Sequence, residues 1–403
     1  MIFNIPIDFF LFAAILILVA LYHKHVFKTA TIGLLVVSLY KIFFSPFKTG
    51  PGLDGFILHL SHEWVIVTNL LLLLVGFALL SDHFERSHVT EKISTALPSG
   101  AMGAFSLLLI VFILSGFLDN IAAAIIGATI ASDLYKKKVH MGYLAAIVAS
   151  ANAGGAGSVL GDTTTTMMWL GGVPPLDVLH GYIGAIGAFV VLAFFASRKQ
   201  NSYQKLIRST AHHKIDGWRL GIVAFILVLA VSTNIYVNMN LKEYADFFPF
   251  LGVSVWVAIL VALPIRAPHW SLVPNAFKGS LFLLALVLTA SMMPVEKLPA
   301  ASPFSTFGLG FLSSIFDNIP LTAIALKQDN YDWGVLAYAV GYGGSMIWFG
   351  SSAGVAVSNI FPEAKSVGKW IKEGWFVALA YVVGYAVMML IWGWDPDPLH
   401  TFK

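Results

Sequence analysis

The chain is a series of apolar segments, each about as long as a helix that crosses a membrane, with short polar loops between them. An α-helix needs about 20 apolar residues to cross the hydrocarbon core of a bilayer. Of the 403 residues, 58% are hydrophobic and 11% are charged, whereas soluble domains have roughly 25% charged residues. We therefore predict an all-α polytopic membrane protein without a sizeable soluble domain. The candidate spans lie near residues 5–22, 26–45, 62–80, 140–171, 176–197, 217–239, 247–264, 279–293, 333–361 and 371–394.

Two further apolar regions, near residues 98–133 and 301–328, contain an Asp-Asn pair in the middle and are polar at both ends. Each fits either one long bent helix or a re-entrant hairpin, which enters and leaves the membrane on the same side. Cytoplasmic loops collect Lys and Arg, and all the basic loops face the cytoplasm only if both regions are hairpins. Both termini are then outside. The basic loops are residues 23–28, 133–140, 198–219, 265–278 and 363–372.

This topology predicts two inverted repeats, residues 1–198 and 217–394. A cytoplasmic basic linker, 199–216, joins them, and 395–403 form a short tail. Each repeat contains three spans, a hairpin, a discontinuous helix and a final span. Inverted repeats with discontinuous helices are typical of secondary transporters, whose sites lie near the bilayer midplane. The first repeat has an inward-entering hairpin at about 98–133 and a broken helix at about 140–171; the second has an outward-entering hairpin at about 301–328 and a broken helix at about 333–361.

A short internal sequence match supports the two repeats. The tripeptide Asp119-Asn120-Ile121 corresponds to Asp317-Asn318-Ile319, and both precede a glycine pattern of the same spacing. Glycines 154, 155 and 161 correspond to glycines 343, 344 and 350. In this register Ser351 and Ser352 of the second copy take the places of Asp162 and Thr163 of the first.

Three carboxylates lie deep in the apolar segments: Asp119, Asp162 and Asp317. No Lys or Arg lies at comparable depth. Because a bare charge inside a bilayer costs at least about 2.5–3.5 kcal/mol, such acids need protons or metal cations as partners. A proton and a sodium ion can therefore compete for the same carboxylates. An anion site would instead be expected to offer Lys, Arg or purely neutral donors.

Each candidate residue also has a purely structural interpretation. Asp119 and Asp317 can cap the second arms of the hairpins, helped by Asn120 and Asn318. Asp162, followed by four threonines, can simply begin a helix. Asn152 and Ser158 can satisfy the broken backbone, and a serine in a membrane helix usually bonds its own backbone. The remaining candidate oxygen ligands are Thr164, Thr165, Ser313, Ser345, Ser351 and Ser352.

Several classes of function lack support in the sequence. There is no cysteine for disulfides or thiolate-bound metals, and no compact basic domain for nucleic acid. No His–carboxylate spacing suggests a metal enzyme, and no nucleophile–base pair suggests another kind of enzyme. The histidines lie mostly in loops, and we expect residues such as His83 and His140 to be solvated. We therefore predict no enzyme activity and no cofactor.

The segments SANAGGAGSVLGDTTTTMMW, SIFDNIPLTA and GYGGSMIWFGSSAGVAV resemble the signatures of NhaD-type sodium/proton antiporters of the ion transporter superfamily. The first departs from the family pattern, with Gly157 and Val159 in place of an aromatic residue and a proline. The resemblance implies exchange of Na⁺ or Li⁺ for H⁺, a prokaryotic cytoplasmic (inner) or related organellar membrane, and a homodimer with a scaffold half and a moving transport half. The family's important positions fall on Asp119, Asn120, Asn152, Asp162, Thr164, Thr165, Ser313, Asn318, Ser351 and Ser352.

Two hypotheses follow. In the first, the protein is a Na⁺(Li⁺)/H⁺ antiporter in which Asp119 and Asp162 bind the cation with Asn152, Thr164, Thr165 and backbone carbonyls, while Asp317 and Asn318 complete a related half-site. In the second, the same fold is a Na⁺-coupled symporter of a carboxylate or another small anion. The expected partners in both are the lipid bilayer and small inorganic ions.

Overall fold

A computed structural model of the protein describes residues 6–22, 25–89, 92, 97–207, 214–241, 244 and 247–398. These residues form α-helices and short 3-10 turns but no β-strand, which confirms the predicted all-α class. Residues 208–213 of the predicted linker and 399–403 of the predicted tail lie outside the described residues. The helices are α1 (Ile7–Leu21), α2 (Val26–Phe44), α3 (Gly52–Glu85), α4 (Ala101–Ser115), α5 (Asn120–Leu134), α6 (Met141–Gly155), α7 (Thr163–Leu170), α8 (Pro175–Leu179), α9 (Gly181–Tyr203), α10 (Gly217–Asn240), α11 (Phe250–Ala262), α12 (Val273–Ser291), α13 (Pro303–Ser313), α14 (Asn318–Gln328), α15 (Trp333–Gly343), α16 (Ser352–Ile360), α17 (Val367–Glu373) and α18 (Trp375–Ile391).

Four helical segments of the described chain are long and apolar enough to cross a membrane: Val26–Phe44, Gly52–Glu85, Pro175–Tyr203 and Trp270–Ser291. The pair α17 and α18, bent by 59°, makes a fifth if the two count as one span. Other apolar helices are shorter, at 10–17 residues. The protein is thus a polytopic integral membrane protein in which many of the predicted spans are short or interrupted helices.

One compact unit consists of residues 1–87 and 216–298. In it α3 packs against α10, α11 and α12, and α2 packs against α1 and α12. Helix α3 has 34 residues, so it extends well beyond the predicted span at 62–80. It carries His83 to α10, where the imidazole is 1% exposed and lies 3.0 Å from Arg219 Nη1. The expectation of a solvated His83 is therefore wrong.

The other compact unit consists of residues 88–215 and 299–403 and contains α4–α9 and α13–α18. Equivalent helices of the two copies make equivalent contacts. Helix α4 packs on α6, as α13 packs on α15. Helix α5 packs on α16 of the second copy, as α14 packs on α7 of the first. Helices α6 and α15 contact each other, as do α9 and α18. This pattern supports an internal repeat; the inverted orientation of the two copies remains a prediction.

The two regions predicted as hairpins each contain two helices joined by a short turn. Residues 116–119 separate α4 from α5, and residues 314–317 separate α13 from α14. The aspartate at the end of each turn caps the next helix: Asp119 Oδ2 accepts from the Ile121 N–H at 3.3 Å, and Asp317 Oδ1 from the Ile319 N–H at 3.2 Å. Neither region is one continuous helix. The re-entrant course of the hairpins through a membrane remains a prediction.

Both predicted broken helices are interrupted, at residues 156–162 and 344–351. A Cβ atom at Gly161 would overlap the carbonyl oxygen of Ser115, and one at Gly350 would lie 2.5 Å from the carbonyl oxygen of Ser314. In each copy, therefore, the last glycine of the break allows the end of the first hairpin arm to approach closely. The two sequence-matched glycines perform the same task in the two copies.

We predict that Gly161→Ala destabilises the protein, because the added methyl group meets backbone that cannot rotate away. Overpacking of this kind costs about 1–3 kcal/mol, so the thermal unfolding midpoint of the purified protein should fall. Gly308→Ala is the matched control, because nothing lies within 4 Å of a Cβ at this helical glycine. Equal midpoints for the two variants would contradict the close approach.

Candidate functional site

Asp162 caps the start of α7 and is 1% exposed. Its Oδ1 atom accepts hydrogen bonds from the Thr164 backbone N–H at 3.2 Å and from Asn120 Nδ2 at 3.1 Å. Its Oδ2 atom is buried and has no hydrogen-bond partner within the described part of the chain. A buried carboxylate oxygen without a partner is unfavourable. Oδ2 therefore marks a position that a proton or a cation would stabilise.

Two asparagines connect Asp162 to the second broken helix. Asn120, the first residue of α5, donates through Nδ2 to Asn152 Oδ1 at 3.0 Å as well as to Asp162. Asn152, on α6, donates through its own Nδ2 to Ser345 Oγ at 2.9 Å and to Ser351 Oγ at 3.2 Å. All five side chains are buried. We call them the asparagine network; it brings together five of the predicted site residues from both copies.

Two of the four threonines hold the unwound backbone of the first break. Thr165 Oγ1 donates to the carbonyl oxygens of Ser158, at 2.6 Å, and Asp162, at 2.9 Å. Thr166 Oγ1 donates to the carbonyl oxygens of Val159, at 2.8 Å, and Asp162, at 2.9 Å. The threonines therefore add side-chain hydrogen bonds to carbonyl groups at and around the break, and two of these groups, those of Ser158 and Asp162, also accept a backbone N–H.

Thr164 differs from its neighbours. Its side chain lies close to the Asp162 carboxylate, but its buried Oγ1 atom makes no hydrogen bond of normal length and angle to a described residue. Asp162 and Thr164 therefore contribute one unpartnered oxygen each at the start of α7. A hydroxyl oxygen with free lone pairs can bind a cation or accept a hydrogen bond.

Asp119 and Asp317 are half-buried rather than fully buried. Each is close to a hydroxyl residue of the following broken helix: Ser352 Oγ donates to Asp317 Oδ2 at 3.1 Å, and the Thr163 side chain interacts with Asp119. Both carboxylates are close enough to repel Asp162. The structure thus places Asp119 and Asp317 each within electrostatic reach of Asp162, and of the three acids only Asp162 is fully buried.

The three carboxylates have neutral hydrogen-bond partners in the described part of the chain. Across the described residues, no ion pair joins Asp119, Asp162 or Asp317 to a Lys or Arg. Their carboxylates are instead partnered by backbone N–H groups, hydroxyls and an amide. The site can therefore balance negative charge only with protons or with cations from solution.

The remaining predicted residues lie around the asparagine network without a hydrogen bond to it among those described. Ser158 Oγ donates to the Gly116 carbonyl oxygen, and Ser313 Oγ to the Val340 carbonyl oxygen, both at 2.7 Å. Ser158 ties the first break to the turn of the first hairpin, and Ser313 ties the first arm of the second hairpin to α15. Asn318 is 3% exposed and begins α14 as Asn120 begins α5.

Two aromatic residues that support the site were not predicted. The Tyr182 ring occupies the space that a side chain at Gly157 would need, and its hydroxyl donates to the Gly154 carbonyl oxygen at 3.0 Å. An aromatic ring from α9 thus fills the place where the family pattern has an aromatic residue at position 157. Trp370 Nε1 donates to the Ser345 carbonyl oxygen at 3.2 Å and so holds the second break.

A second buried polar pair lies in the same compact unit. His180 Nε2 is 2.6 Å from Asp332 Oδ1, and the imidazole stacks on Trp392 with ring centroids 4.6 Å apart. Asp332 also accepts the Val335 N–H at 2.9 Å and thereby caps α15. This pair fixes the start of a broken helix, and the sequence contains no local signal for it.

The asparagine network predicts coupled stability effects. Asn120→Ala and Asn152→Ala each leave buried partners unpaired, but the double variant loses their shared hydrogen bond only once. The changes in the free energy of unfolding of the two single variants should therefore add up to a value that differs from that of the double variant by about 0.5–3 kcal/mol. Unfolding of the purified proteins in detergent measures all three changes. Asn120→Ala combined with Thr289→Ala, whose hydroxyl bonds Ala285 of its own helix, should be additive. Additivity in both cycles would contradict the network.

Comparison with known proteins finds one matching family model and several relatives. A family model described as citrate transporter, CitMHS, matches residues 2–343. The chain is 26% identical to "Sodium/proton antiporter 1" of Arabidopsis thaliana, over 91% of this chain and 69% of that protein. It is 25% identical to the Na⁺/H⁺ antiporter NhaD of Vibrio parahaemolyticus, over 61% of this chain and 70% of that protein. It is 23% identical to the NhaD of Halomonas elongata, over 80% of this chain and 75% of that protein.

These matches confirm the resemblance to NhaD-type antiporters of the ion transporter superfamily. They also identify the protein as a secondary transporter of ions rather than an enzyme. Since the family model covers most of the 403 residues, the chain belongs to the citrate transporter family, CitMHS.

Proposed function

We propose that this protein exchanges Na⁺ or Li⁺ for H⁺ across the membrane by alternating access. The observation that carries the proposal is the pair of buried oxygens without partners, Asp162 Oδ2 and Thr164 Oγ1. Both lie at the first helix break, where irregular backbone at membrane depth marks a cavity or a site. The antiporters among the similar proteins support the same function.

The chemistry of exchange follows from the burial of Asp162. An ionised carboxylate in a low-dielectric environment is unfavourable unless a proton or a cation neutralises it. One proton or one cation satisfies Oδ2, but both together cannot. Loading a cation therefore releases the proton, and loading a proton releases the cation, which yields exchange without a separate coupling device.

The surrounding residues have distinct roles in this proposal. Asp162 Oδ2 and Thr164 Oγ1 bind the cation directly, together with carbonyl oxygens of the break. Asn120 holds Oδ1 in place, and Asn152 holds Asn120 and connects it to the second copy. Thr165 keeps the Asp162 carbonyl group in position.

The half-buried acids Asp119 and Asp317 attract cations toward the site, one from each hairpin. Asp119 adds a second carboxylate to the Na⁺ site, and Asp317 forms a related half-site with Asn318 and Ser352. The hydroxyl oxygens of Ser345 and Ser351 complete the part of the site that the second copy forms. Ser158 and Ser313 hold the hairpins against the neighbouring broken helices. All these residues belong to one compact unit, which supports their moving together.

The proposal includes the arrangement in the membrane. The two copies are inverted repeats with re-entrant hairpins, both termini are outside, and the protein is a homodimer in a cytoplasmic membrane. The reciprocal helix pairing supports the repeats. The NhaD resemblance supports the dimer and the membrane; the similar proteins include antiporters of Vibrio and Halomonas and two of the plant Arabidopsis thaliana.

A second candidate function, Na⁺-coupled symport of a carboxylate, is favoured by the description of the family as citrate transporters. The acids would then hold only the coupling sodium. The lack of Lys or Arg at the described acids argues for the antiporter, because a carboxylate substrate would be repelled by three aspartates. Sodium uptake that depends on added citrate, without sodium-induced proton movement, would favour the symporter.

Asp162→Asn should abolish exchange, because an amide of the same shape neither ionises nor releases a proton. Sodium-induced proton movement in proteoliposomes carrying an internal pH dye should fall to the level of protein-free vesicles. Asp133→Asn, at an exposed carboxylate of α5, should exchange as the wild type does. Unchanged exchange in Asp162→Asn would remove this residue from the mechanism.

Thr164→Val should weaken cation binding while preserving side-chain volume, because it removes the unpartnered hydroxyl. The loss of one ligand worth about 1.4 kcal/mol raises the half-saturating Na⁺ concentration about tenfold. Thr164→Ser keeps the hydroxyl and should remain close to the wild type. If valine and serine behave alike, the hydroxyl is not a ligand.

A further inference from the structure

Helix α15 carries a glycine, Gly341, at the position that corresponds to Asn152 of α6. Each lies two residues before the glycine pair of its own broken helix. In the first copy Asn152 donates to Ser351, which caps the helix after the second break. The matching contact of the second copy would run from position 341 to Asp162, which caps the helix after the first break. Gly341 has no side chain with which to make it.

The absence of a side chain at position 341 leaves open space next to Asp162. A Cβ atom built on Gly341 would lie 3.0 Å from Asp162 Oδ2. Apart from its chain neighbours and its own helix backbone, no other heavy atom of the described residues lies within 4 Å of that Cβ position. Asp162 Oδ2, for which the described part of the chain offers no hydrogen-bond partner, therefore faces a small open space beside the backbone of α15.

We propose that Gly341 determines which cation the protein accepts, because any side chain at position 341 would take up part of the space next to Asp162 Oδ2. A dehydrated monovalent cation occupies this space, and its upper size is set by the approach of the α15 backbone. The inference rests on the proposed cation/proton exchange and adds a specificity residue that itself contributes no ligand side chain.

Two physical arguments support glycine at this position. An asparagine like that of the first copy would donate a hydrogen bond to Oδ2 and satisfy it permanently, leaving nothing for a cation to stabilise. A methyl group would leave Oδ2 unpaired but would narrow the space. Selection between cations of the same charge depends on cavity size and ligand number, so narrowing should disfavour Na⁺ more than the smaller Li⁺.

The test compares wild type, Gly341→Ala and Gly308→Ala in proteoliposomes with an acidic interior and a pH dye. Half-saturating concentrations are measured separately for NaCl, LiCl and KCl. Gly308→Ala is the matched control: a helical glycine of the same compact unit, with open space at its Cβ position. Because alanine is the stronger helix former, neither variant should disturb its helix.

In Gly341→Ala we expect the half-saturating Na⁺ concentration to rise about tenfold, the effect of one methyl group in a close-fitting pocket. The factor by which the half-saturating Li⁺ concentration rises should be at least about threefold smaller than the factor for Na⁺. The half-saturating concentrations of Gly308→Ala should equal those of the wild type. Isothermal titration of the purified protein with LiCl and NaCl gives the same ratio when transport is too slow to measure.

An unchanged Na⁺/Li⁺ ratio in Gly341→Ala, or equal loss of both ions in transport and in titration, would overturn the role of Gly341. Such a result is distinct from failure of the proposed function. That failure would show as wild-type protein in which neither NaCl nor LiCl moves protons.

Discussion

The site depends on a single buried oxygen that the protein does not satisfy. Nearly every buried polar atom in a folded chain finds a partner, and a charged one inside a membrane protein has few alternatives. Asp162 Oδ1 accepts two hydrogen bonds, from a backbone N–H and from Asn120, whereas Oδ2 has no partner among the residues that the structure describes. This difference within one carboxylate fixes the side chain in place and still leaves it able to take a proton or an ion.

Asp162 lies where the first of the two broken helices is interrupted, and an interruption leaves some backbone groups without helical partners. Side chains of the compact unit around the site contribute further hydrogen bonds. Thr165 and Thr166 bond carbonyl groups of the first break, and Trp370 bonds one of the second. The hairpin arms then pack against the glycines of the breaks. The reciprocal helix pairing extends this support to both copies, so much of the unit serves to keep two short stretches of chain unwound.

The sequence revealed the parts of this arrangement that have local signals. Asp119 and Asp317 follow apolar arms and precede helices, and the matched glycines share one spacing, so the helix breaks and their caps could be predicted. In the internal sequence match, Ser351 of the second copy corresponds to Asp162 of the first, and both residues cap helices. Contacts between segments far apart in the chain had no such signal. Tyr182 comes from another helix to fill the space at Gly157, and His83 is buried only because α3 runs longer than its apolar stretch.

The two copies have diverged in a way that fits a single charge-carrying site. The first copy has a carboxylate at 162 and an amide at 152; at the matching positions the second has Ser351 and Gly341. A second aspartate at 351 would face the network that Asn152 completes, and two buried carboxylates so near each other would raise the electrostatic cost of both. A side chain at 341 would close the space at Asp162 Oδ2. At these two matched positions the first copy therefore has a carboxylate and an amide, and the second has a hydroxyl and no side chain, which is a difference that an exactly repeated sequence cannot provide.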